Sequence, residues 1–156
     1  MSHSTLRLLR QAWILMALAG ASAAPGAAQI TVVTVDDLAF GAIIAGASGS
    51  VAVSPQGLRT ASGGALLGPS TGVSPARFRV EGDPHAAFSI VLPSSTVLSS
   101  TAATMTVDTF VTSPVGSGVL GPDGLAEVEL GATLWVQASQ PAGFYQGTFD
   151  FTVAYP

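Results

Sequence analysis

Thr148-Phe149-Asp150-Phe151-Thr152-Val153-Ala154-Tyr155 is the stretch whose reading decides the fold class. Phe149, Phe151, Val153 and Tyr155 fall at alternate positions, with Thr148, Asp150, Thr152 and Ala154 between them. Successive side chains of a strand point to opposite sides, so this alternation predicts a half-buried β-strand and not a helix. β-Branched and aromatic residues suit a pleated surface with one buried face. Full burial of such a side chain stabilises by roughly 1.5–3 kcal/mol, so this strand is expected to be a main wall of the core.

The same period of two recurs on working outward. Residues 30–35 (ITVVTV) and 37–44 (DLAFGAII) are candidate strands, as are 50–54, 76–81, 87–92, 103–111, 126–130 and 133–138. In 76–81, Phe78 and Val80 alternate with Arg77, Arg79 and Glu81. In 103–111, Met105, Val107 and Val111 are expected on one face. Between these runs stand Ser54-Pro55-Gln56-Gly57, Gly82-Asp83-Pro84, Gly121-Pro122-Asp123-Gly124 and Gln140-Pro141-Ala142-Gly143, whose Gly, Pro and Asp residues favour chain reversal. The Gly/Ser-rich residues 60–74 read as a long surface loop. No amphipathic helix of useful length is present. Short strands at this spacing predict an all-β sandwich or barrel.

The 156 residues allow one ordinary domain. Residues 1–28 read as a cleaved signal peptide: Arg7 and Arg10 precede an apolar run beginning at Trp13, and small residues follow up to Ala28. The apolar run is short of the roughly 20 residues needed to span a bilayer. Export to the periplasm, the cell surface or the medium is therefore expected, with residues 29–156 as the single mature domain and no membrane span left after cleavage. That domain holds three Arg, no Lys and nine acids, a net charge of −6. Such a balance argues against nucleic acid, which is bound by basic groups that displace counterions. It also argues against adhesion to an anionic membrane.

The chain offers little for catalysis. It has no cysteine, and His85 is the one histidine of the mature domain, in a Gly-Asp-Pro-His turn. No Gly-x-Ser-x-Gly elbow is present. Asp36-Asp37 falls short of the spaced oxygen ligands of a calcium loop, and Glu127 and Glu129 share the polar face of a strand. No cofactor, metal site or enzymatic activity is expected. Trp135 reads either as strand packing or as a sugar-stacking platform.

The segment from Gly143 to Tyr155 resembles the G-x-Y-x-G-T-(apolar-x)-Y ending of DUF4402 proteins, and the endings of spore coat protein U and chaperone–usher pilins. Tyr155 is penultimate and Gly143 is fourteenth from the end, as in pilins. Leu38-Ala39-Phe40-Gly41 is similar to the L-x-F-G element of DUF4402 and coat-protein-U sequences, and Phe78-Arg79-Val80-Glu81-Gly82 to their F-x-V-x-G segment. The resemblance spans essentially residues 29–155. It implies an immunoglobulin-like, pilin-type antiparallel β-sandwich that lacks a final strand. The missing disulfide and the short N-terminal segment depart from the pilin pattern.

The resemblance thus leads to the expectation of an exported structural or adhesive subunit, fimbria-like or coat-like, that assembles by donor-strand exchange. Phe149, Phe151, Val153 and Tyr155, with Gly143, would line the assembly groove, and Ile30, Val32 and Val35 would be the inserted anchors. Partners would be further copies of the chain, a periplasmic chaperone and an usher. Residues 29–35 read equally as the domain's own first strand. The alternative function is a self-contained extracellular binding module for carbohydrate or protein, with Trp135 and residues 60–74 as the contact area.

Overall fold

The structure is a computed structural model that describes residues 4–6 and 29–156. The signal peptide expected over residues 1–28 lies outside the described residues, apart from residues 4–6. Ser4–Leu6 forms β1. From residue 31 the strands are β2 (Thr31–Asp36), β3 (Ala39–Ile44), β4 (Gly49–Val53), β5 (Arg59–Gly63), β6 (Leu66–Leu67) and β7 (Val73–Ser74). Then come β8 (Ala76–Glu81), β9 (Ala87–Val91), β10 (Ser95–Ser99), β11 (Thr104–Ser113) and β12 (Ser117–Val119). The last three are β13 (Leu125–Val136), β14 (Phe144–Tyr145) and β15 (Thr152–Ala154). The described residues contain no helix.

The largest sheet runs β10-β11-β13-β4-β5, with β8 also on β13 and β2 on β8. Its spine is β13, whose Val128, Leu130, Leu134 and Val136 are buried. One half of β13 pairs with β8, from Leu125↔Glu81 to Leu130↔Ala76, and the other with β4, from Ala132↔Val53 to Val136↔Gly49. A second sheet runs β14-β1-β3-β6, with β7 also on β3, and a third runs β12-β9-β15. Every ladder is antiparallel except that of β1 with β14.

The sheets curl around one hydrophobic core. Phe78 of β8 meets Phe151 at 4.4 Å between ring centroids, and Phe149 lies 5.2 Å from Phe110 and 6.2 Å from Phe151. Tilted ring pairs at such separations add to the gain from burial alone. The alternation of residues 148–155 holds in burial, since Phe149, Phe151 and Val153 are only 4–6% exposed. As a ladder the strand is shorter than expected: Thr152–Ala154 pairs with β9, while Thr148 and Gln146 are held separately, by Thr96 and Ser99.

Three further expectations change. The strands 126–130 and 133–138 are one strand, β13, continuous through Gly131. Glycine fits there because a Cβ would collide with the Val53 carbonyl oxygen of β4. In β11 the register shifts between Asp108 and Val111, and Thr109 sits at φ 51°. This bulge inserts an extra residue and reverses the phase. Met105 and Val107 face the core as expected, but Thr112 is then buried and Val111 is 43% exposed. Residues 60–74 are not one long loop, because they contribute most of β5 together with β6 and β7. The arginines after residue 28 all lie in strands: Arg59 opens β5, and Arg77 and Arg79 stand in β8.

Candidate functional site

The motifs that carry the family resemblance are structural parts. Leu38 and Phe40 are wholly buried at the start of β3. Gly41 follows at φ 72°, and a Cβ there would press on Val73 Cγ2 at 2.6 Å and on Arg59 Nη1 at 2.9 Å. The Arg59 guanidinium fills the space left by Gly41. Its Nη1 donates to the carbonyls of Phe40 and Ala42, both at 3.1 Å, and its Nη2 donates to Gly68 O at 2.6 Å. A planar fork of donors suits several carbonyls at once. Phe78 and Val80 are buried, and Gly82 lies under Tyr155, whose hydroxyl accepts from the Asp83 N–H at 2.8 Å.

β3 has a second edge, and β1 occupies it. Ser4, Thr5 and Leu6 pair antiparallel with Ile43, Ala42 and Gly41. On its other side β1 runs parallel to β14, Thr5 beside Phe144 and Leu6 beside Tyr145. A segment set aside from the fold in the sequence is thus an interior strand of the second sheet, between β14 and β3. Among the described residues, nothing else joins β3 to β14 along that sheet's hydrogen-bonded path.

The β14 side of this slot is anchored from within. Tyr145 is fully buried, and its hydroxyl donates to Pro141 O at 2.6 Å and accepts from Gln140 Nε2 at 3.0 Å. Gln140, itself 7% exposed, also donates to Thr104 O at 3.1 Å. Gly143 lies at the entry to β14, where a Cβ would meet Ser100 at an ordinary 3.5 Å. Beyond β14 the chain turns Phe149, Phe151 and Val153 into the core, and Tyr155 packs partly buried against it.

The proposed anchors lie elsewhere. Residues 31–36 form β2, an edge strand on β8 with Val32 opposite Val80 and Thr34 opposite Phe78. Ile30 and Val32 pack partly buried against the domain's own core, whereas Val33 and Val35 are 41% and 48% exposed. Asp36 lies 3.9 Å from Arg77, which also faces Glu129 at 3.4 Å. In the β13–β8 ladder Glu127 stands opposite Arg79 and Glu129 opposite Arg77.

A second feature gathers around Trp135. The indole is 48% exposed, between buried Leu134 and Val136, and its Nε1 donates to Asp108 Oδ1 at 2.8 Å. Beside it opens a cleft of about 410 Å³ lined by Ser48, Ser50, Ser62, Gln137 and the facing glycines Gly49 and Gly63. The structure therefore brings Trp135 together with Ser62 and Gly63, from the start of the region expected to flank it. His85 stands apart in its turn at φ 60°, its N–H donating to Gly121 O at 3.2 Å. Among the described residues no group of three or more His, Cys, Asp or Glu is placed to hold a metal, and no helix is long and apolar enough to cross a membrane.

Sequence reasoning missed β1, the Arg59 clamp, the Gln140–Tyr145 pair and the Asp108–Trp135 bond. The usable signal was an arginine in a chain with very few charges: such a group needs partners wherever it is partly buried. A family model described as "Domain of unknown function (DUF4402)" matches residues 30–155. No curated protein and no solved structure matches the chain.

Proposed function

Because this chain belongs to the DUF4402 family, we propose a function from its own geometry: an exported, non-enzymatic structural subunit, fimbria-like or coat-like, that assembles with its neighbours by strand addition. In this reading the domain is an immunoglobulin-like sandwich related to coat-protein-U and pilin subunits, and residues 1–28 are removed on export. The observation that carries the reading is β1. It supplies the middle strand between β3 and β14, yet it comes from the segment with an export-signal pattern. Cleavage would leave two strand edges facing a strand-wide gap. Unpaired backbone N–H and C=O groups at such an edge attract a strand from another chain.

β2 is the element best suited to fill a neighbour's gap. It is an edge strand, and only Val32 among its six residues is not exposed, so releasing it from β8 uncovers little apolar surface. A periplasmic chaperone would shield the gap before assembly. The test expresses the full chain in a host that exports it and measures the mass of the product. Single cysteines are then placed at Ala42 in one copy and at Ile30, Val32 or Val33 in another, in a protein with no other thiol. We expect a product beginning at Gln29, concentration-dependent oligomers and an intermolecular disulfide from one of the pairs. A processed protein that stays monomeric at high concentration and forms no such disulfide refutes the proposal.

A further inference from the structure

We propose that the outer face of the largest sheet around Trp135 binds an uncharged polysaccharide, with the indole as its stacking platform. The sheet register sets out this face. Val97, Thr106, Trp135, Ser50 and Ser62 are successive cross-strand partners on β10, β11, β13, β4 and β5. Cross-strand partners share a face. The adjacent row is Ser95, Asp108, Thr133, Ala52 and Thr60. Five strands at about 4.8 Å spacing make a row of roughly 19 Å, the length of a short oligosaccharide.

The chemistry of these rows selects the occupant. Asp108 is their one ionisable residue, and its carboxylate is engaged by the indole N–H. That bond satisfies the polar edge of the ring and holds its plane, leaving an apolar surface for contact. The remaining positions are mostly hydroxyls. In the cleft beside the ring, Ser48, Ser50, Ser62 and Gln137 can both donate and accept. Gly49 and Gly63 pair there at close backbone approach, where a Cβ on Gly63 would meet Gly49 Cα at 2.9 Å.

No cationic group lines the cleft to receive a phosphate or an acidic glycan. A lipid chain would leave the Ser and Gln groups of the cleft without hydrogen-bond partners. A neutral sugar fits both demands, because its C–H face packs on the indole while its hydroxyls exchange hydrogen bonds with Ser and Gln. The proposal does not depend on strand addition, since Trp135 lies in a different sheet from the β3–β14 slot.

The test is native affinity electrophoresis of the purified protein in gels containing hydroxyethylcellulose, mixed-linkage glucan or xylan, with alginate as the charged comparison. We expect retardation by at least one neutral polymer and none by alginate. Trp135→Ala should weaken that retardation by about tenfold or more, Trp135→Phe should retain most of it, and Ser62→Glu should reduce it. Circular dichroism melts check that each variant is folded. The proposal is overturned if no neutral polymer retards the protein or if folded Trp135→Ala is retarded as strongly as the parent. It is equally overturned if Trp135→Ala changes only the sedimentation of the protein, which would assign this face to protein contact.

Discussion

Replacing Tyr145 by phenylalanine removes one oxygen atom from a fully buried position and leaves the ring in place, so no cavity of consequence opens. Two hydrogen bonds go with it, one to Pro141 O at 2.6 Å and one from Gln140 Nε2 at 3.0 Å. Gln140 keeps its bond to Thr104 O, but its other amide hydrogen is left without that partner. Each lost bond costs about 0.5–1.5 kcal/mol net, and a buried donor left unsatisfied costs about 1–3 kcal/mol. The expected loss is about 2–3 kcal/mol, which lowers the melting temperature of a domain this size by about 6–15 °C. Tyr155→Phe is the internal control. It removes a single bond, from the exposed Asp83 N–H, that water can replace, and it should cost less than about 1 kcal/mol. Thermal unfolding followed by circular dichroism compares the two. Equal melting temperatures would refute the assignment of Tyr145 as the anchor of β14. Since β14 borders the slot that β1 fills, the same variant should also weaken any strand addition there.

Other outcomes follow from the packing. Gly131→Ala drives a methyl group into the β4 backbone and should cost at least about 2 kcal/mol, whereas Gly116→Ala, with open space around it, should cost only about 1–2 kcal/mol from its left-handed backbone; urea midpoints decide the order. Arg59→Met removes three bonds to carbonyls and should cost about 1.5–3 kcal/mol. Arg59→Lys should recover only part of that, because an ammonium cannot span the same fork, and full recovery in a urea titration would contradict the clamp. The double change Val33→Thr and Val35→Thr alters only exposed side chains of β2, so its unfolding free energy should stay within about 0.5 kcal/mol of the parent.

What was legible in the sequence was the part written in neighbouring residues. The alternation of Phe149, Phe151 and Val153 predicts their shared burial, and Phe78 and Val80 behave likewise. Phase was lost where one residue breaks the period: Thr109 turns β11 over, and no hydrophobic pattern marks that residue in advance. Residues 126–130 and 133–138 read as two strands, but Gly131 between them admits a close backbone approach within a single one. The site features depend on long-range contact. Trp135 and Asp108 are 27 residues apart, and Arg59 reaches carbonyls 9, 17 and 19 residues away. Only the folded topology brings those groups together. β1 was hidden for another reason, since a basic and apolar N-terminal pattern is read as an address and withheld from the fold.

The placement of the arginines has a consequence for proteolysis. Trypsin-like enzymes cut after Lys or Arg and prefer exposed loop tips. After residue 28 the chain has no lysine, and its arginines all stand within ladders: Arg59 in β5 and Arg77 and Arg79 in β8. The loops between the strands therefore present no bond that such an enzyme recognises. Beyond residue 28, digestion must wait for β5 or β8 to open, so the rate of tryptic cleavage there measures how often those strands come apart. A chain displayed among proteases of this class is shielded by where its few cations sit.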